Sequence, residues 1–243
     1  MATSNGSKWI LPDTSPGLPP CDDRAQLPPS IQVMPVELPG RNSRMRDPKH
    51  TSMRALVDSC LQPEDGILPL LREKPYALFG HSMGAWVAYE LAQEMQQRGE
   101  PLPLALYASA NRAPHLASQD VDATQLHSLP SAAFWPAFER RYGHNPSLPR
   151  LPITPLSCPI TAIGGTKDTR YTPAQLGAWT LHTSRRFDEV WVQGSHRFLL
   201  EPAGRKQLLD HLARHLPDLL LPTAPACGAD DELAAPVHCK GMA

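Results

Sequence analysis

The sequence predicts an α/β fold, a mostly parallel sheet covered by helices on both faces. Two observations lead to this prediction. Short apolar runs alternate with segments of helical periodicity between about residues 31 and 216, and a chain of 243 residues is long enough to bury a full hydrophobic core. Alternation of this kind is typical of parallel strands joined by helices, so the order of the elements predicts the fold class before any motif is considered.

The individual elements follow from apolar runs and from stretches of good helix formers. Strands are expected over residues 31–38, 76–79, 102–108, 159–163 and 189–192. Helices are expected over residues 54–61, 85–98 and 207–216, the second of them closed by Gly99 as its C-cap.

Proline divides the chain into regions. There are 28 prolines, about twice the usual share, and they concentrate in the first 40 residues, between residues 146 and 159, and after residue 217. We therefore expect an irregular proline-rich segment over residues 1–30 and one domain over residues 31–216. Within that domain a lid is expected at about residues 114–157, and residues 217–243 are expected to form a disordered tail.

Composition excludes several classes of function. A formal net charge of −1 argues against nucleic acid as the main partner, because binding to phosphates needs a basic face. Five scattered cysteines without a CxxC pair argue against a disulfide framework or a zinc site. No apolar run approaches the length of a membrane span. The polar start resembles neither a secretory signal nor an Arg-rich transit peptide. With the scattered cysteines, which fit a reducing compartment, this favours a cytoplasmic location, with a plastid left open. The protein is expected to be a monomer.

The motif that carries chemistry is the G-x-S-x-G of residues 80–84, which stands between a predicted strand and a predicted helix. A serine on such a turn has an exposed hydroxyl, and the helix that follows directs its N-terminal N–H groups toward a developing oxyanion. The motif therefore predicts Ser82 as a nucleophile. The alternative is a structural turn whose serine caps the helix.

A serine nucleophile needs a histidine base, and that histidine needs an acid to hold its tautomer. Asp168 and His196 each follow a predicted strand, in the chain order that this motif requires. Asp188 is a weaker candidate because it precedes its strand. His211 and His215 have metal-ligand spacing without a third ligand nearby, which favours a solvated helix face. His81 is expected to point away from the turn, and a surface loop remains the alternative for His196.

Several separated segments resemble the type II thioesterases, the stand-alone editing enzymes of fatty acid, polyketide and non-ribosomal peptide synthesis. They are residues 36–41, 75–84, 89–90, 163–168 and 194–198, together with Trp179. The resemblance implies the α/β-hydrolase fold, a triad of Ser82, Asp168 and His196, and no cofactor or metal. It also implies an acyl thioester substrate on a carrier protein or on CoA, and an oxyanion donor at the N–H of Met83.

The amino-terminal region departs from that family. There a Trp-containing start, like that of residues 7–10, is followed by a strand, an F-P-x-A-G-G loop with the second oxyanion donor, and a helix. Only 20 residues separate Ile10 from the strand at Ile31, six of them are proline, and the loop motif is absent. The sequence therefore predicts that a core strand and the oxyanion loop are missing, and losing one donor typically costs about 10² to 10³ in kcat.

The lid offers candidate substrate contacts. Phe134, Trp135 and Phe138 are spaced to lie near one helical face, where they would line an acyl groove or pack the lid on the core. Three functional hypotheses remain open at this stage: a thioesterase, a carboxylesterase or lipase on the same scaffold, and a catalytically impaired relative that binds carrier protein.

Overall fold

The computed structural model describes residues 7–13, 27–39, 44–48, 50, 52–64, 66–116 and 153–220, the first of these ranges as backbone alone. Within these residues six strands form one parallel sheet. The strands are β1 (Ser7–Asp13), β2 (Ile31–Glu37), β3 (Tyr76–His81), β4 (Leu106–Ser109), β5 (Ile160–Gly165) and β6 (Phe187–Val192).

The strands lie side by side in the order β2-β1-β3-β4-β5-β6. The chain therefore moves outward from β1 to β2, returns to the other side of β1 as β3, and then continues in one direction. In open parallel sheets, the carboxyl ends of the strands at such a reversal are where ligands bind. The reversal thus marks the carboxyl ends of β1 and β3 as the place to look for a site.

Helices cover the sheet on both faces. They are α1 (Met53–Cys60), α2 (Leu68–Glu73), α3 (Met83–Gln97), α4 (Pro173–Gly177) and α5 (Pro202–Asp218). All residues from Tyr76 to Gly80, and all of β4 and β5, are buried. Because successive side chains of a strand point to opposite faces, complete burial means that both faces are covered at the centre of the sheet. The predicted fold class is confirmed.

The predicted elements are present, with shifted ends. Helix α3 begins at Met83, directly after Ser82, and Gly99 adopts φ +68° just beyond its end, as a C-terminal glycine does. Helix α5 begins five residues before the predicted start at Gln207 because Pro202, a residue favoured in the first turn of a helix, initiates it. The short helices α2 and α4 were not predicted.

The expectation of a missing core strand is wrong. The segment Ser7–Asp13 is itself a strand, and it pairs with β2 along seven residues and with β3 from Lys8 to Ile10. In the family pattern a segment like Ser7–Ile10 precedes the core strand, and the 20 residues that follow Ile10 are too few for a further strand, loop and helix. Here the segment Ser7–Asp13 itself lies between β2 and β3, so no further strand is needed at that place in the sheet.

Two prolines within strands fit this arrangement. A proline removes one ladder hydrogen bond, so it is tolerated where one side of a strand is unpaired. Pro12 of β1 lies beyond Ile10, where pairing to β3 ends, and Pro35 lies in β2, at the edge of the described sheet. Proline content therefore does not exclude strands here.

The predicted domain limits need two corrections. The proline-rich segment of residues 1–30 is not irregular over Ser7–Asp13, and α5 continues to Asp218, beyond the predicted domain end at residue 216. Residues 117–152, which include Phe134, Trp135 and Phe138, lie outside the described residues, as do residues 14–26 and 221–243. Among the helices that are described, none is long and apolar enough to cross a membrane.

Candidate active site

Ser82 occupies a strained turn between β3 and α3. Its backbone has φ 55° and ψ −125°, a conformation that costs a non-glycine residue about 1–3 kcal/mol. The turn leaves no room at Gly80, where an added Cβ would lie 2.0 Å from the carbonyl oxygen of Gly84. The Ser82 N–H donates to the carbonyl of Ser109 (2.8 Å), and the side-chain amide of Asn111 donates to the Ser82 carbonyl (2.9 Å). Strand β4 and the residues after it therefore hold the turn in place.

His196 and Asp168 meet Ser82 at the carboxyl edge of the sheet. The Nε2 atom of His196 lies 3.0 Å from Ser82 Oγ, and its Nδ1 atom lies 2.7 Å from Asp168 Oδ2. A carboxylate only accepts hydrogen bonds, so Nδ1 carries the proton and Nε2 can accept the proton of the serine hydroxyl. The side chain of Asp168 is 1% exposed and that of His196 is 15% exposed, so the hydrogen bond between them is largely shielded from water.

The environment favours the charged form of Asp168. Burial by itself would raise the pKa of this carboxyl, but the hydrogen bond from His196 and the attraction to its ring act in the opposite direction. The N–H of Arg170 also donates to Asp168 Oδ1 (3.1 Å). The net effect holds the pKa of Asp168 below its ordinary value, so the group is a carboxylate at neutral pH.

The loop that carries His196 is fixed on one side by Glu201, which the sequence analysis missed. The main-chain N–H and the hydroxyl of Ser195 both donate to the Glu201 carboxylate. Gly194 has φ +136°, and an added Cβ there would lie 2.5 Å from Glu201 Oε2. The Gly194 carbonyl accepts from the N–H of Lys167 (2.8 Å), which links this loop to the turn of Asp168.

The same loop is fixed on its other side by His81. The Nε2 atom of His81 lies 2.9 Å from the main-chain carbonyl oxygen of His196, and the two rings are 5.3 Å apart. The sequence analysis expected His81 to point away from the serine turn and assigned it no part in the site. No local signal identifies this contact or that of Glu201, because both partners of each contact are defined only by the fold.

Met83 is the first residue of α3, so its main-chain N–H has no acceptor within the helix. It lies at the positive end of the helix dipole, beside Ser82, as the sequence analysis expected of an oxyanion donor. The second donor of the family would come from residues that follow β1, which lie outside the described part of the chain.

The competing candidates lie apart from Ser82. Asp188 is in β6 near its amino end and forms an ion pair with Arg186 (2.7 Å). The rings of His211 and His215 lie 4.2 Å apart on α5, and the described residues contain no group of three or more potential metal ligands. Neither candidate belongs to the arrangement around Ser82.

Comparisons with known proteins give the family. A sequence profile of the thioesterase domain matches residues 24–152, which are 129 of the 243 residues. Linear gramicidin dehydrogenase LgrE of Brevibacillus parabrevis is 33% identical over 201 residues, covering 72% of this chain and 74% of that protein. The medium-chain S-acyl fatty acid synthase thioesterase of Homo sapiens is 26% identical over 213 residues, covering 76% and 77%.

The fold comparison agrees with the sequence comparison. The type II thioesterase BorB from the borrelidin biosynthetic cluster superposes with a TM-score of 0.66 at 28% identity, covering 89% of this chain and 93% of BorB. Because the profile spans more than half of the chain, this chain belongs to the thioesterase family, where it is similar to the type II enzyme BorB.

Proposed function

We propose that the protein hydrolyses acyl thioesters, carried on the phosphopantetheine thiol of a carrier protein or of CoA, with Ser82 as nucleophile. The observation that supports this most directly is the hydrogen-bonded chain from Ser82 Oγ through His196 to Asp168. The same three side chains would also cleave oxygen esters, so the choice of a thioester substrate depends on family membership.

The first half of the reaction acylates the serine. Ser82 Oγ attacks the thioester carbonyl carbon while its proton passes to His196 Nε2, and the Asp168 carboxylate stabilises the resulting imidazolium. The Met83 N–H stabilises the oxyanion of the tetrahedral intermediate. As the intermediate collapses, the carbon–sulfur bond breaks and His196 returns the proton to the departing thiolate. A thiol of pKa about 8.5 leaves readily, so this step makes modest demands on the acid.

The second half releases the acid. A water molecule gives a proton to His196 Nε2 and attacks the acyl-serine carbonyl, which again forms an oxyanion beside Met83. Collapse breaks the bond to Ser82 Oγ, and the proton on His196 returns to that oxygen. The products are a free carboxylic acid and the thiol, and Ser82 is restored.

A direct experiment is hydrolysis of acyl-CoA and acyl-N-acetylcysteamine by the wild type and by Ser82→Ala. Exposed Ser184, whose hydroxyl donates to the carbonyl of Leu156, gives a matched control, Ser184→Ala. We expect Ser82→Ala to lose at least about 10⁴-fold in kcat and Ser184→Ala to stay within about twofold of wild type. Equal rates for the wild type and Ser82→Ala would contradict the proposal. A nitrophenyl ester of the same acyl chain, if hydrolysed with a higher kcat/KM than the thioester, would favour a carboxylesterase.

A second candidate, a catalytically impaired relative that binds carrier protein, is favoured by one observation: the sequence lacks the F-P-x-A-G-G loop. It predicts folded protein that a fluorophosphonate fails to label at Ser82. LgrE is named a dehydrogenase, but this chain has no G-x-G-x-x-G segment of the kind that binds dinucleotides, which favours hydrolysis over oxidoreduction.

A further inference from the structure

His81 joins two parts of the site that are far apart in sequence. Its Nδ1 atom lies 2.9 Å from the hydroxyl of Ser109 at the end of β4, and its Nε2 atom lies 2.9 Å from the carbonyl oxygen of His196. The ring also packs edge-on against Phe198, which is fully buried, with ring centroids 5.1 Å apart. His81 is therefore held on three sides in one orientation.

The partners determine the tautomer of His81. A carbonyl oxygen only accepts, so Nε2 must carry a hydrogen and donate it to His196. Burial, followed by the neighbouring His196 ring, lowers the pKa of His81 to about 3, so at neutral pH the ring is uncharged and has a single N–H. Nδ1 is then an acceptor, and the fully buried Ser109 hydroxyl donates to it.

These bonds form a closed set of contacts with the nucleophile. The carbonyl of Ser109 accepts the N–H of Ser82 (2.8 Å), while its hydroxyl orients His81, which holds the main chain of His196. The ring of His196 then reaches back to Ser82 Oγ at 3.0 Å. Ser109 of β4 thus positions both Ser82, through its carbonyl, and His196, through its hydroxyl and His81.

We propose that His81 is a positioning residue for the thioester hydrolysis proposed above, and that its Nε2–H holds the His196 main chain so that the imidazole stays within reach of Ser82 Oγ. This inference rests on the proposed function, because it assigns His81 no part without a catalytic His196. Displacing a catalytic group by 1 Å can lower the rate about 10²-fold, so losing the one hydrogen bond that positions His196 is expected to lower kcat.

The alternative is that His81 only fills space under the loop. The two explanations separate with His81→Gln and His81→Asn, which differ by one methylene group. The Gln amide nitrogen reaches the position of His Nε2 and can still donate to the His196 carbonyl, whereas the Asn amide reaches only the position of Nδ1. Because Gln also fills more space than Asn, His81→Met, which has about the length of Gln and no N–H, completes the set: a donor role predicts a loss in Met like that in Asn, whereas a space-filling role predicts rescue by Met as well as by Gln.

The experiment measures the second-order rate of Ser82 labelling by a fluorophosphonate, and kcat and KM for acyl-N-acetylcysteamine, in the three variants. We expect Asn to lower the labelling rate and kcat about 10- to 100-fold with KM within about twofold of wild type, and Gln to stay within about threefold. His182→Asn is the matched control. His182 is a buried histidine with its pKa lowered to about 4 and hydrogen bonds to Tyr89 and His115, and its variant should label within about twofold of wild type.

Equal labelling rates for wild type and His81→Asn, or equal losses in the Gln and Asn variants, would overturn the proposal. If His81→Asn does not fold, Ser109→Ala, made in the wild type and in His81→Gln, tests the role of His81 instead. It should slow labelling about 3- to 10-fold in the wild type, where it frees the His81 tautomer, and have no further effect in His81→Gln. An equal effect in both backgrounds, or none in the wild type, would also overturn it.

Labelling keeps this test separate from that of the proposed substrate. A wild type that labels at Ser82 but hydrolyses no thioester would contradict the thioester assignment, while the ratios between the His81 variants would still decide the role of His81. A wild type that fails to label at all, although folded, would overturn both, since no active serine would remain for His196 to serve.

Discussion

The two sides of the sheet differ in how they relate to the sequence. Strands β3, β5 and β6 each lead into a loop with one residue of the proposed triad, and β3, β4 and β5 are buried apolar runs. No local pattern of this kind identifies β1. The family pattern predicts the core strand after Ser7–Ile10, whereas pairing with β2 and β3 shows that Ser7–Asp13 is itself that strand. Local motifs identify a strand that delivers a side chain, whereas a strand that completes a sheet is identified by its neighbours.

Removing residues 1–13 gives the largest expected effect on this comparison. A truncated chain would expose the facing edges of β2 and β3, so we expect no cooperative unfolding transition and no hydrolysis. The matched truncation removes residues 221–243, the greater part of the predicted tail, and should shift Tm by less than about 2 °C. Circular dichroism melts of both proteins provide the measurement. A stable protein that unfolds cooperatively without residues 1–13 would show that this segment is not a core strand.

The success of the sequence analysis at β3 to β6 has a physical cause. Ser82, Asp168 and His196 lie within four residues of the carboxyl ends of β3, β5 and β6, and these ends lie at one edge of a parallel sheet, so order along the chain predicts proximity. Glu201 and His81 were missed because neither has a distinctive local pattern. Each acts on the main chain of the loop that contains His196, a contact that only tertiary structure provides.

Asp168→Asn tests whether an aspartate at the carboxyl edge of the sheet matters more for catalysis than one near the amino edge. The amide would stabilise the wrong tautomer of His196, so we expect kcat to fall by about 10⁴-fold with the fold retained. Asp188→Asn, in the same sheet but near the amino end of β6, should keep kcat within about twofold. Steady-state hydrolysis of acyl-N-acetylcysteamine measures both. Similar losses of kcat in the two variants would mean that Asp168 has no specific role in catalysis.

Gly194→Ala tests how closely the His196 loop must be held. The residue has φ +136°, and the added Cβ would lie 2.5 Å from a carboxylate oxygen of Glu201, so we expect a loss of about 1–3 kcal/mol in stability and about 10-fold in kcat. Gly99→Ala provides the control. Its φ of +68° imposes about 1 kcal/mol of strain, but nothing lies within 4 Å of the added Cβ, so kcat should not change. Equal falls in kcat would attribute the effect to general destabilisation.

Helix α3 packs against strands of both sides, and two glutamates one turn apart on it should respond to mutation with opposite signs. Burial, followed by the charge of Glu94, raises the pKa of Glu90 to about 7. The folded protein therefore binds a proton there that the unfolded chain has lost above its ordinary pKa of 4.5, so stability falls as pH rises from about 4.5 to 7. We expect Glu90→Gln to remove this fall and to raise the free energy of unfolding at pH 7.5 by up to about 3 kcal/mol.

Glu94→Gln is the matched variant. Its carboxylate, which is 9% exposed, accepts hydrogen bonds from Arg54 (2.8 Å) and Arg98 (2.7 Å), and the amide loses both ion pairs. We expect a loss of about 1–3 kcal/mol at pH 7.5. Urea denaturation between pH 4.5 and 8 measures both variants. If Glu90→Gln is no more stable than wild type at pH 7.5, the Glu90 carboxylate is solvated well enough to ionise freely. Helix α3 would then join the two sides of the sheet without a buried carboxyl that opposes folding at neutral pH.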